Sequence, residues 1–324
     1  MGLHLQDAEL ASLYHSPPNL RHPGNRHCYA CAREVFDAPN AQAWAQAMKL
    51  HPPVKATIRQ YFSSRSPSSV GTPPHPRDYP LKLMSSPDPA DDFSLYIVLI
   101  GIQAQVCEAR ELDQLFTYSN QVEITTLLIE WYHSYQRYQQ SNHVTDDVPF
   151  CLLILWHSIF VSLFADINEV EIAFGRQGAK TAADHVEKIF AWAETPGAQR
   201  AALHVLRIRQ LLRRLPLSTV PPVHVPRVAF QSALVFWAFV RMRKAPLTPA
   251  TTGFVDMSSW VEFSTARVSS RDLLRELQRV REVRGSDQCL GPFSDILHRL
   301  GYWGLAEKLG DILDVAIHED MVRL

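Results

Sequence analysis

The chain is poor in cysteine, with Cys28, Cys31, Cys107, Cys151 and Cys289 the only five in 324 residues. The number is odd, low for the length, and set mostly in apolar segments, which fits reduced thiols in an intracellular compartment and excludes a disulfide scaffold. Neither sign of charge is in excess, with 32 Lys and Arg against 33 Asp and Glu. A net charge of -1 offers no general attraction to nucleic acid or anionic lipid, so such a contact needs a local basic patch. Long apolar runs are missing as well. The stretch from Phe150 to Ala165 holds 16 residues and includes His157, Ser158 and Ser162, short of the roughly 20 a bilayer span needs. The first residues, MGLHLQDAELASLYH, lack a basic start with an apolar run behind it, and Gln6 stands where a myristoylation signal wants Ser or Thr. A soluble protein without membrane contact is expected.

Catalytic signatures are scarce. GRQG at 175–178 is far short of a phosphate loop, no Gly-x-Ser-x-Gly elbow occurs, and HEDMV at His318 lacks the second histidine of a zinc-protease helix. The 14 histidines are scattered singly. The metal reading of RHCYACAREVFDAPNAQAW, residues 26–44, fails on spacing: twelve intervening residues after Cys31 lead to Trp44 rather than to a histidine. An improvised set of His22, His27, Cys28 and Cys31 is the remaining metal reading, strained by the adjacency of two of its members. Asp166, Glu169 and Glu171 lie close together, but a helix points the last two to different sides, which favours structural carboxylates over acid/base or metal chemistry. Asp91-Asp92 and Asp146-Asp147 lack the apolar helix and second motif of a magnesium site. No catalytic, cofactor-binding or metal-ligating residue is therefore nominated, and the chain is expected not to be an enzyme.

What is present is helical periodicity. Proline and serine crowd 63–92, which reads as a linker or loop between an N-terminal segment, 1–62, and a helical body, 93–324. Beyond it, Phe93 to Phe116, Gln121 to Tyr138 and Phe150 to Phe164 carry apolar residues at three- and four-residue spacings, the last preceded by Asp146, Asp147 and Pro149 as start signals. Ala179, Ala182, Val186, Ile189, Phe190 and Ala193 share one face of an amphipathic helix. Thr195 is the expected N-cap of the next, with Pro196 at its first position and Arg200, Arg207, Arg213 and Arg214 reaching solvent. An apolar helix spans Val228 to Met242, and SRDLLRELQRVREV, PFSDILHRLG and WGLAEKLGDILDVAIHEDM follow. No segment sustains period-two alternation and no fixed repeat recurs, so the fold class is all-α, a large irregular domain of packed antiparallel helices with proline-rich loops. The clusters Arg207, Arg209, Arg213, Arg214 and Arg241, Arg243, Lys244 lie near helix C-termini, where the dipole explains them; nuclear import or phosphate binding is the functional alternative.

LWHSIFVSLFADINEVEIAFGRQG, then AWAETPGAQRAALHVLRIRQLLRRLP, then PRVAFQSALVFWAFVR and finally GYWGLAEKLGDIL follow one another in an order that resembles the regulatory, or middle homology, domain of fungal-specific transcription factors, closest to the type found with two-Cys two-His zinc fingers. The matching residues are Trp156-His157, Asp166 to Glu171, Gly175-Arg176-Gln177-Gly178, Trp192, Ala201 to His204, Trp237 and Trp303 to Leu305; with REVFDAPNAQAW, which resembles the segment where such domains begin, the resemblance covers most of 30–320 and is strongest from 150 to 245. The resemblance implies an all-α nuclear domain that regulates transcription of metabolic or biosynthetic genes through protein partners, other transcription factors or a small-molecule effector. Such domains stand behind a zinc finger, whereas about 30 residues precede this one, which implies contact with DNA only indirectly or through a missing upstream finger. Such a finger-less module could compete with full-length factors for partners. Trp156, Phe160, Phe164, Gly175, Gly178, Phe190, Trp192, Leu206, Trp237 and Trp303 are expected to hold the architecture, Phe36 and Trp44 to anchor the entry to it, and Asp166 and Arg176 to pair across the Gly-Arg-x-Gly turn. The alternatives are an all-α biosynthetic enzyme, which demands polar groups of perturbed pKa converging in an aromatic pocket, and a small-molecule sensor with that pocket alone.

Overall fold

The structure is a computed structural model, and it describes residues 2–20, 31, 33–52, 91–112, 118–142, 151–216, 220–243, 260–283 and 285–322. Of these, 81% are helical and none is in a strand, which establishes the all-α class. Residues 63–90 of the expected linker 63–92, the start signals at 146–149, and His22, His27 and Cys28 lie outside the described residues, while Asp91 and Asp92 belong to a helix start rather than to a linker.

The chain divides into two compact units, Met1–Leu152 and Leu153–Leu324. The first contains α1 (Gly2–Tyr14), α2 (Arg33–Phe36), α3 (Ala41–Leu50), α4 (Asp92–Glu111) and α5 (Tyr118–Asn142). Helix α4 starts where Asp91 turns its carboxylate back onto the Ser94 amide at 2.7 Å, the capping geometry that satisfies a donor the first turn leaves open. Burial pushes the Asp91 carboxyl up, against the two Ser94 hydrogen bonds that pull it down. By length and composition α4 is long and apolar enough to cross a bilayer, but so is the buried core helix of a globular protein. Here its residues from Ser94 to Cys107 are nearly all buried, with α1 and α5 packed against it. Trp131 on α5 is fully enclosed, donates its indole N–H to the Leu95 carbonyl at 2.8 Å and stacks on Tyr135.

Two residues expected as anchors do not bury. Phe36 is 81% exposed and Trp44 50% exposed. Helix α2 is one turn long, and successive residues point about 100° apart, so burying Val35 leaves its neighbour in water. Helix α3 buries no residue at all.

The second unit contains α6 (Leu152–Phe164), α7 (Ile167–Phe174), α8 (Ala179–Ala193), α9 (Pro196–Leu212), α10 (His224–Met242), α11 (Val261–Thr265), α12 (Ser270–Val283), α13 (Ser286–Arg299) and α14 (Gly304–Val322). Helix α10 is its hub, packing against α7, α8, α9, α13 and α14, and its apolar residues Val225, Ala229, Ala233, Phe236 and Phe239 are inaccessible or nearly so. It begins earlier than Val228, because Pro226 in the first turn has no amide that the helix needs. Helix α13 also begins earlier than Pro292, which lies inside it.

The segment around Gly-Arg-x-Gly is held by local rules. Asp166 caps α7 by accepting from the Glu169 amide at 3.3 Å. Gly175 ends it at φ 115°, with its own amide on Ile172 O and that of Arg176 on Glu171 O, the Schellman arrangement. Gly178 follows at φ 90°. A Cβ at either glycine meets nothing within 4 Å, so backbone conformation rather than crowding by a neighbour demands glycine there. Arg176 pairs with Glu171 at 2.7 Å and with Asn168, not with Asp166, whose carboxylate is turned to its own helix start. Thr195 caps α9 as expected, accepting from the Ala198 amide at 3.1 Å.

Replacing Trp131 by Phe removes the indole hydrogen bond to the Leu95 carbonyl, which keeps only its bond within α4. The loss is expected to be about 0.5–1.5 kcal/mol, and about 3–5 kcal/mol for Trp131→Ala, read from urea unfolding of the full chain.

Candidate functional site

The apolar period of α6 places Trp156, His157, Phe160 and Phe164 towards the interior, and that of α9 does the same for His204. The two histidines, 47 residues apart, meet with their Nδ1 atoms 2.8 Å apart. His204 stacks on Phe160 at 4.6 Å between centroids and lies 4.5 Å from the Phe263 ring. Its Nε2 faces Glu262 Oε1 at 3.6 Å. Glu262, on α11, is wholly inaccessible and receives both arms of Arg200, Nε to Oε1 at 2.5 Å and Nη2 to Oε2 at 2.7 Å. The guanidinium of Arg200 also lies over Phe164, 4.2 Å from the ring centre, and 5.7 Å from that of Trp260.

One arrangement of protons fits every contact. If His157 Nδ1–H donates to His204 Nδ1, the His204 proton sits on Nε2 and faces the carboxylate; the reverse assignment would aim a lone pair at an anion. The His157 proton is thus shared with His204, whose own N–H faces Glu262 from 3.6 Å, beyond hydrogen-bond distance, while Arg200 holds the carboxylate from the other side. Burial holds the His157 pKa well below the ordinary histidine value, and the neighbouring His204 and Arg207 charges add to this. Burial also lowers that of His204, against the pull of Glu262. Burial alone would raise the Glu262 carboxyl, but the Arg200 charge and the His204 and Arg200 contacts bring it to about 2. At neutral pH the cluster is one ion pair beside two neutral imidazoles.

His157 and His204 carry the family resemblance in the sequence, but Glu262 was not singled out and Arg200 was expected to reach solvent. The available signal was Glu262 itself, an acid standing between Trp260 and Phe263. Arg200 turns inward because that acid is there.

The acidic residues of 166–171 go to separate partners. Glu169 takes His185 at 2.5 Å and Lys188 at 3.4 Å, while Glu171 takes Arg176 and, at 3.5 Å, Gln231. The basic clusters also divide. Arg209 pairs with Glu276, Arg243 donates to the Ala193 carbonyl at 2.8 Å, and Arg213 and Arg214 remain exposed. Lys244 lies outside the described residues. Trp192 donates to Phe164 O at 2.8 Å, Trp303 to Pro221 O at 3.0 Å, and Trp237 sets its ring edge against Phe174. A surface groove between the end of α9 and the α13–α14 turn is lined by Leu212, Pro216, Pro221, Leu300, Arg299 and Tyr302; none of the shifted groups lines it. Cys31, Cys107, Cys151 and Cys289 form no disulfide.

Removing one partner of the buried pair leaves the other charge uncompensated. Glu262→Gln is expected to cost about 3–5 kcal/mol, much of it recovered in the Arg200→Met/Glu262→Met double variant, as chemical denaturation will read. The histidines set a pH limit with a definite sign. Their folded pKa values lie below the unfolded value near 6.5, so their neutral burial stabilises fully above about pH 6.5 and is lost as pH falls towards the folded values. Glu262 adds a second loss between about pH 4.5 and its folded value of about 2. The thermal midpoint therefore drops as pH is lowered from about 6.5 to 5, less steeply in His157→Gln.

No family model matches this chain, and neither a curated protein nor a solved structure shows significant similarity to it.

Proposed function

We propose that this chain is a nuclear regulatory module of transcriptional control, of the fungal-specific type, acting on metabolic or biosynthetic genes through protein partners or an effector and without catalysis. The observation that carries this reading is the use made of the residues behind the resemblance. Trp156 and Phe160 fill the core, His157 and His204 bond one another, Asp166 and Gly175 cap α7, and Trp192 and Trp303 lock helices through their indole N–H groups. Each is spent on holding helices in register. The groups whose proton affinity is most displaced are sealed from solvent, His157 at 2% and His204 and Glu262 at 0% exposure. An enzyme needs such groups where substrate can reach them, and the groove beside Tyr302 contains none of the three. Outward-facing apolar residues on α14, namely Leu305, Ile312 and Val315, recur at spacings of seven and three, so they form one stripe suited to a partner.

The test fuses the full chain to a heterologous DNA-binding domain in a fungal host with a matching reporter. A change of reporter output in either direction, diminished by Glu262→Gln at equal protein level, is the expected result. Unchanged output, or sequence-specific binding of a promoter fragment by the purified chain alone, contradicts the proposal.

A further inference from the structure

Helices α13 and α14 are joined by only four residues, 300–303, and pack closely along each other. A connection that short makes them antiparallel neighbours, so the last turn of α13 faces the second and third turns of α14. His298 stands in that last turn, and Asp311 and Asp314, three apart, share a face of α14. One ligand atom from each of the three comes within 4.8 Å of the others, the one such grouping among the described residues. An ion bound at about 2.0–2.2 Å to each holds its ligand atoms roughly 3–3.5 Å apart, so small side-chain rotations close the set.

Two features show that the imidazole and one carboxylate are positioned. Ser294 on α13 hydrogen-bonds Asp314 Oδ1 at 2.5 Å, which leaves Oδ2 turned to His298 Nε2 at 2.9 Å. Gly310 lies under the ring: a Cβ there would come within 2.8 Å of His298 Cε1 and 2.9 Å of Nε2. Glycine inside a helix costs about 1 kcal/mol relative to alanine, and the seat it makes for the imidazole is what that residue provides.

We propose that His298, Asp311 and Asp314 bind a divalent first-row transition-metal ion of the Zn2+ class, clipping α13 to α14. One imidazole nitrogen with two carboxylate oxygens suits Zn2+, Co2+ or Mn2+, whereas Ca2+ and Mg2+ favour all-oxygen sets and Cu+ favours sulfur. Asp314 with its Ser294 hydrogen bond supplies the outer-shell support such ligands use. All three side chains reach solvent, His298 at 38% and Asp314 at 45%, which gives an ion its path of entry and water a place to complete the coordination. On binding, the ion takes the position of the proton that His298 Nε2 shares with Asp314.

Calorimetric titration of the full chain with Zn2+ tests this, alongside Cys28→Ser/Cys31→Ser, which removes the competing thiol pair, and Asp184→Asn, an exposed carboxylate on α8. One equivalent is expected in all three proteins, with affinity roughly tenfold or more lower in His298→Ala and in Asp311→Asn. Asp311 is exposed, so the second variant remains informative if the first disturbs packing, and circular dichroism without metal verifies each fold. Absence of Zn2+ binding, loss of it in the double cysteine variant, or unchanged affinity in Asp311→Asn overturns the site.

Discussion

The pairing of Arg200 with Glu262 is the constraint around which the second unit is organised. A carboxylate with no exposure to water carries a desolvation penalty of several kcal/mol, and only a charged partner with good geometry offsets it. Arg200 supplies that partner in bidentate form, and Phe164 and Trp260 cover the guanidinium. The remaining approach to the carboxylate belongs to His204, which in turn requires His157. Each group is tolerable in the core only because the next one is present. The polar chain thus sets how α6, α9 and α11 meet, a specification that apolar contacts alone leave looser.

Around this chain the unit is assembled by contacts of short reach. Caps at Asp166 and Thr195 and the glycine at 175 decide where α7 and α9 begin and α7 ends. Indole N–H groups then fasten α8 to the end of α6 at Trp192, and the α13–α14 connection to Pro221 at Trp303. Helix α10 buries apolar residues against five other helices, so displacement of one neighbour is felt by the others. A scaffold of this kind leaves its titratable interior, His157, His204 and Glu262, out of reach of solvent. The hairpin of α13 and α14 is different in character, with its polar cluster open to solvent at the edge of the unit.

The helical class, most helix positions, the Thr195 cap and the Gly-Arg-x-Gly turn were legible in the sequence because they depend on local matters: the 3.6-residue period, Pro at a first turn, Thr as an acceptor for a free amide, Gly where φ is positive. Thr195 and the boundaries of α8 and α12 needed nothing beyond their neighbours. Residues whose role depends on a distant partner were not legible in this way. Arg200 looked like a solvent-facing arginine until Glu262, 62 residues on, was folded against it. Arg176 chose Glu171 over Asp166 because the cap had already engaged Asp166. Phe36 and Trp44 looked like anchors, yet short helices with few buried positions left them in water. Likewise His298 read only as one of many single histidines until α13 and α14 were brought together. The sequence by itself determined where helices form, since that rests on hydrogen bonds and side chains a few residues apart. Only the tertiary structure decided which polar groups are buried and with whom, since the energy of a charge depends on everything that surrounds it in space.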